Sequence, residues 1–211
     1  LGYFIDVRST ALEAFLVQQR RLRVERVLEM IRRLAEHGIV IAAETIVETA
    51  ASRPGTSVGR PWIARALVEG GHVADTNEAF DRWLARGRPA FVPRTGASPA
   101  EVIARIHEAD GIASLAHPVL IGRDEWIAEF AAAGLDALEA YHSDHDAIAT
   151  NRYLLTAERL GLAISGGSDY HGDEAHGPVA PGAVTLPPER FEALKRLATS
   201  RATASPPTTS S

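Results

Sequence analysis

Three times in its second half this chain repeats one pattern: a helix-like segment, a glycine, a short apolar run, then polar residues. Gly111 leads through Ile112-Ala113-Ser114-Leu115-Ala116 to His117. Gly134 leads through Leu135-Asp136-Ala137-Leu138-Glu139-Ala140-Tyr141 to His142. Gly161 leads through Leu162-Ala163-Ile164-Ser165 to the pair Asp169 and His171. Such repetition predicts alternating β and α units, and so an α/β fold with a parallel sheet or barrel. In these folds the functional groups gather at the carboxyl ends of the strands. His117, His142, Asp169 and His171 are therefore expected to converge.

Taken alone, Asp169-Tyr170-His171 reads more readily as a polar turn carrying a surface histidine. On extended backbone, however, Asp-x-His projects both side chains to one side, because side-chain direction alternates with period two. A carboxylate and an imidazole meeting at one point suit a divalent metal. Groups at three successive strand ends favour the metal reading over the turn. His142 and His145 are expected near the same site, in contact with a phosphate or in the shell around it, with a polar loop as the alternative for each. His37, His72, His107 and His176 are read as helix-end, surface or loop residues.

The first half differs. Leu12, Phe15, Leu16, Leu22, Val27, Leu28, Ile31 and Leu34 recur at helical spacing over residues 10–37. Arg20, Arg21, Arg23, Arg26, Arg32 and Arg33, offset by Glu25, Glu29 and Glu36, read as a solvated helix face, with a phosphate-facing surface as the second reading. Ile39-Val40-Ile41 is either a short strand or a buried connection. Further short helices are predicted over Glu44–Ala51, over Trp62–Glu69, and after a cap at Asp75 or Thr76. Ser98-Pro99-Ala100-Glu101 combines an N-cap, a first-turn proline and a capping-box glutamate. The expected division is 1–19 barrel, 20–90 helical insertion, 91–198 the βα units, and 199–211 a disordered tail after a last helix from Pro188 to Leu197.

The absence of cysteine among the 211 residues excludes disulfides and thiolate zinc sites. The net charge of −5 argues against passive capture of long nucleic acid. No apolar run approaches membrane-spanning length and no signal peptide is visible, so a cytoplasmic protein without a stable protein partner is expected. Residue 1 is leucine, which is read as a start inside something larger or as processing.

Three motifs in this order, Ala116-His117-Pro118, Glu139-Ala140-Tyr141-His142-Ser143-Asp144-His145 and Gly166-Gly167-Ser168-Asp169-Tyr170-His171-Gly172, resemble the PHP (polymerase and histidinol phosphatase) superfamily. The stretches from Ser57 to Glu69, from Ala79 to Leu84 and from Gly87 to Pro93 look like the helical insertion of one branch. That branch holds nucleoside 3',5'-bisphosphate phosphatases and 5'-to-3' exoribonucleases acting on short RNA. The resemblance implies the carboxyl-terminal portion of a distorted (β/α)7 barrel with an inserted helical subdomain. It also implies a cluster of divalent metals, manganese first, with iron or zinc as alternatives.

His117, Asp169 and His171 match the family's metal ligands. Arg60, from the insertion, is a candidate phosphate contact, although Trp62 stands where the family pattern usually has histidine. The family's opening His-x-His motif and several further ligands lie before the Leu-Gly-Tyr at which this sequence begins. The cluster is therefore expected to be incomplete in this chain, with weak metal binding and little turnover. The implied activity is hydrolysis of phosphate esters of nucleotides or short RNA 5' ends. Two alternatives stay open: a catalytically crippled or non-catalytic PHP module, and an amidohydrolase-like hydrolase. A ligand lysine at a mid-barrel strand end would favour the last, but the sole lysine is Lys195.

Overall fold

The structure, a computed structural model, describes residues 1–51, 58–170 and 180–204. The chain divides into two compact units, one made of Leu1–Glu13 with the segment from Ser98 onward, the other of Ala14–Ala97. These divisions fall at 13/14 and 97/98, whereas the sequence suggests residues 20 and 90.

The first unit is built on a four-stranded sheet in the order β1 (Gly2–Tyr3), β2 (Ile112–Leu115), β3 (Ala137–His142), β4 (Ala163–Gly167). β1 runs antiparallel to β2, while β2, β3 and β4 are parallel. Each parallel strand begins shortly after one of the three repeated glycines. This is mixed α/β architecture; the described strands are those of part of a sheet, and a seven-unit barrel is not established by them.

Helices join the strands. The helix over Pro99–Glu108 starts with a capping box: Ser98 Oγ accepts from the Glu101 N–H, and Glu101 Oε2 accepts from the Ser98 N–H at 2.7 Å. It packs Ile103 and Ile106 against Ala113 and Leu135. The helix over Ala147–Leu160 is capped by Asp146, which accepts from the Ala149 N–H, and ends at Gly161 with φ 68°, a left-handed position that favours glycine. Its Tyr153, Ala149 and Ala157 pack on Leu138, Ala140 and Ile164. These contacts fix the carboxyl ends of β3 and β4 in place.

β3 and β4 carry a register irregularity between Glu139 and Tyr141. Gly166 lies at that point, and a Cβ there would stand 2.6 Å from Tyr141 Cβ and 2.8 Å from its carbonyl oxygen. Only glycine permits this close approach of backbones.

The last helix runs Pro188–Ala204, past the expected end at Leu197 and into the stretch expected to be disordered from residue 199. Its continuation has a long-range cause. Arg201 pairs with Asp136 at the start of β3, and Ala198 is buried against the sheet. Residues 205–211 lie outside the described residues.

In the second unit the long helix Thr10–Glu36, which begins in the first unit, supplies the core stripe Val27, Met30, Ile31 and Leu34. Met30, absent from the predicted stripe, is fully buried, whereas Leu16 and Leu28 are exposed. The helices Ala43–Ala51, Arg60–Glu69 and Thr76–Ala79 follow, the last capped by Asp75 and continued by a π-helical stretch, Phe80–Leu84. No strand forms over Ile39–Ile41, so that segment is a connection, with Ile39 buried.

The arginine-rich face of the long helix divides in two. Arg21 and Arg32 make i,i+3 or i,i+4 pairs with glutamates along an exposed surface. Arg26 and Arg33 donate to the carbonyl oxygens of Val92 and Phe91, at 2.8 and 2.7 Å, and Arg33 also keeps an i,i+4 pair with Glu29. No helix among the described residues is long and apolar enough to cross a membrane.

Candidate active site

The carboxyl ends of β2, β3 and β4 bring together His117, His142, His145 and Asp169. The ring centroids of His117 and His142 are 5.5 Å apart, and those of His142 and His145 are 5.3 Å apart. His142 Nε2 lies 3.6 Å from Asp169 Oδ2. Of the four residues expected to converge, His117, His142 and Asp169 lie here, beside His145; the fourth, His171, lies outside the described residues.

Among the described residues, three nitrogens in this cluster are buried without a hydrogen-bond partner: His117 Nδ1, His142 Nε2 and His145 Nε2. Buried polar atoms in proteins are nearly always paired, so unpaired ones call for an explanation, of which a ligand or ion is one. The backbone here is also unusual. His117 has φ 29° and Asp169 φ 52°, sparsely populated conformations for residues with a Cβ. Such outliers concentrate at functional sites, where the surroundings hold them. His117 is held in part by Glu139, a buried carboxylate whose Oε2 accepts its backbone N–H at 2.7 Å.

Asp169 differs from expectation in one respect. β4 ends at Gly167, and Asp169 stands beyond it at a positive φ of 52°. The alternation of an extended strand therefore does not set its direction. His171, expected to share a metal with it, lies outside the described residues, as does His176. Among the described residues no three His, Asp or Glu side chains are grouped closely enough to hold a metal. The donor set that is described, an imidazole with an unpaired buried nitrogen and a half-exposed carboxylate, suits a divalent cation.

Beneath these groups lies a polar network that strand patterning does not mark as functional. Ser114 and Ser165, both buried, share a hydrogen bond of 2.7 Å between their hydroxyls. Burial pushes the Tyr3 phenol above the usual tyrosine range, with the Ser165 hydroxyl opposing the rise and the Glu139 charge adding to it. The only hint in the sequence is a serine in the middle of each of two apolar runs. Tyr153, fully buried, packs on His145 with centroids 5.0 Å apart.

Three other predicted placements need correction or refinement. His107 is no surface residue: its Nε2 is 2.7 Å from Asp136 Oδ2, at the opposite end of β3 from the candidate site. His37 lies just past its helix end, as expected, against the Trp83 ring. Arg60 belongs to the second unit, where its guanidinium lies over the Phe80 ring at 5.4 Å and donates to the Leu84 carbonyl at 3.4 Å.

No family model matches the chain. It is 32% identical over 176 residues to a 3',5'-nucleoside bisphosphate phosphatase of Chromobacterium violaceum, a match covering 81% of this chain and 61% of the relative. It is 33% identical over 178 residues to a 5'-3' exoribonuclease of Haemophilus influenzae, covering 81% of this chain and 63% of that protein. The chain thus spans about three fifths of the length of these curated relatives.

Two solved structures resemble the fold. One, described as a putative metal-dependent phosphoesterase of Bifidobacterium adolescentis, superposes with TM-score 0.70 at 28% identity, over 90% of this chain and 68% of its own. The other, described as an amidohydrolase of Chromobacterium violaceum with bound sulfate and no metal, gives 0.72 at 29% identity, over 95% and 70%. The curated relatives are of the kinds to which the sequence motifs point, nucleoside bisphosphate phosphatases and 5'-3' exoribonucleases.

Proposed function

We propose that this chain forms the carboxyl-terminal part of a distorted (β/α)7 barrel enzyme that hydrolyses phosphate esters of nucleotides or short RNA 5' ends. The observation that carries this reading is the group of unpaired buried imidazole nitrogens at the strand ends, beside Asp169. His117 and Asp169, with His171, would hold a divalent metal: manganese first, iron or zinc otherwise. When bound, such a metal lowers the pKa of a coordinated water and offsets the charge of phosphate oxygens.

The chain's own residues do the rest. Glu139 fixes the backbone of His117. The imidazoles of His142 and His145 contact phosphate oxygens or supply a proton to the leaving oxygen. Arg60, which lies in the second unit, is proposed as a phosphate contact on the resemblance of its surrounding motif. It belongs to a set of arginines in that unit: Arg26 is held below its usual range first by partial burial, then by the charges of Arg60, Arg94 and Arg23. A cluster of like charges attracts an anion, and guanidinium forks suit phosphate.

The test is phosphate release by the intact protein, loaded with manganese, from 3'-phosphoadenosine 5'-phosphate, with histidinol phosphate and an N-carbamoyl amino acid as competitors. Release from the nucleotide, reduced about 100-fold or more by His117→Asn, is the expected result. A protein that binds no metal and releases no phosphate would be a non-catalytic module. Preferential turnover of the carbamoyl compound would favour the amidohydrolase reading, which the second structural neighbour's description supports.

A further inference from the structure

His142 and His145 sit side by side at the end of β3, yet their hydrogen bonds place their protons on opposite nitrogens. The Asp144 backbone N–H donates to His142 Nδ1 at 3.1 Å. A backbone amide can only donate, so Nδ1 presents its lone pair and the ring proton of neutral His142 is on Nε2. His145 is the reverse. Its Nδ1 is 2.9 Å from the Ala140 carbonyl oxygen, which can only accept, so Nδ1 carries the proton and Nε2 the lone pair.

This separates what the two rings can do. His145 has the arrangement typical of an imidazole that offers Nε2 to an electrophile, its other nitrogen bonded to a backbone carbonyl. His142 cannot offer Nε2 in that way without moving its proton to Nδ1, where it would oppose the Asp144 N–H. Its Nε2–H, 3% exposed as a residue and without a hydrogen-bond partner, faces Asp169 Oδ2 from 3.6 Å, just outside hydrogen-bond reach. Packing between the rings of His117 and His145 limits where that N–H can point.

We propose that, of the two imidazoles given a phosphate or proton-transfer role above, His142 is instead a positioning residue whose Nε2–H orients the Asp169 carboxylate for a divalent cation, so that only His145 turns its free nitrogen to the site. The proposal rests on the reading of Asp169 as a metal ligand. Partners of this kind fix the direction of a ligating carboxylate and typically change metal affinity 10- to 100-fold.

The experiment has two arms. In the first, long-range proton–nitrogen NMR of the histidine-labelled chain without metal is expected to show the Nε2–H tautomer for His142 and the Nδ1–H tautomer for His145. The same tautomer at both residues, or the reversed pair, overturns the proposal even if every variant fails to fold.

In the second arm, manganese(II) is titrated calorimetrically into the parent chain, His142→Leu, His142→Gln and Asp169→Asn, each with its thermal midpoint measured. His142→Leu is expected to weaken binding about 10-fold or more. His142→Gln, which keeps an N–H near the same place, should recover most of it. Unchanged affinity in Asp169→Asn removes the metal reading itself. Weakened affinity in Asp169→Asn with none in His142→Leu removes the positioning role alone.

Discussion

β3 carries polar clusters at both of its ends, and they are built in opposite ways. At its start, Asp136 is nearly saturated. Its Oδ2 accepts the Ala113 N–H at 2.8 Å and meets His107 Nε2 at 2.7 Å, while its Oδ1 pairs with Arg201. That carboxylate joins three elements: the segment at β2, the helix Pro99–Glu108 and the last helix. At the other end, His117, His142 and His145 each keep a buried nitrogen without a partner, and His117 and Asp169 hold unfavourable backbone angles. An unpaired buried polar group costs free energy that a satisfied one does not. Arg201 Nε, at the Asp136 end, is also buried without a partner among the described residues, so the contrast is one of degree: Asp136 is bonded through both oxygens, whereas three imidazoles at the other end each keep a nitrogen for a ligand.

The sharpest way to break this comparison is Asp136→Ala. It would leave His107 and Arg201 facing each other without their carboxylate and orphan a buried N–H. Loss of one partner from a buried charged group costs about 3 kcal/mol or more. Urea unfolding of the variant should show that loss, and helix content should fall as the end of the last helix detaches. A loss below about 1 kcal/mol, in the range of a surface pair, would mean that the cluster is peripheral.

Legibility from the sequence follows the same division. The glycine-led apolar runs give the three parallel strands, and so the places of His117 and His142, because strand length and period are local properties. The capping box at Ser98 is equally local. Asp136, His107 and Arg201 were not readable as a group: His107 and Asp136 are 29 residues apart, and Arg201 and Asp136 are 65 apart. Read locally, Arg201 begins a low-complexity tail, and its helix extends there because of a distant carboxylate. The positive φ of Asp169 is hidden for another reason. Gly166-Gly167-Ser168-Asp169 gives no sign of which residue takes the positive φ, and the structure assigns it to the aspartate rather than to either glycine.

A second prediction concerns the candidate-site end, where the side chains are unsatisfied but the backbone is tightly packed. Gly166→Ala would place a methyl group 2.6 Å from Tyr141 Cβ and 2.8 Å from its carbonyl oxygen, against atoms with little freedom to retreat. Overpacking of this kind costs about 2 kcal/mol. Equilibrium unfolding measures it, and amide exchange should quicken in β3 and β4 more than in the unit of residues 14–97. If the variant were as stable as the parent, β4 would have to be free to slide at this end, and the register holding His142 near Asp169 would not be fixed.

The smallest expected effect is a pH dependence in the layer beneath the histidines. Burial holds the phenols of Tyr3 and Tyr153 above the ordinary tyrosine value of 10.0, with the nearby carboxylates Glu139 and Asp124 acting in the same direction. Below that value both states keep their phenol protons and the groups have no influence on the pH slope. Above it the unfolded chain releases protons first, so the folded state loses stability as pH rises toward the raised values. Tyr3→Phe should flatten part of this alkaline decline, measured as unfolding free energy between pH 9 and 11 (on the order of a unit either side of the unfolded value). Tyr153 should retain the remainder. An unchanged slope in Tyr3→Phe would mean that Tyr3 is solvated in solution. The Ser165–Ser114 layer, buried in the structure, would then be open to water.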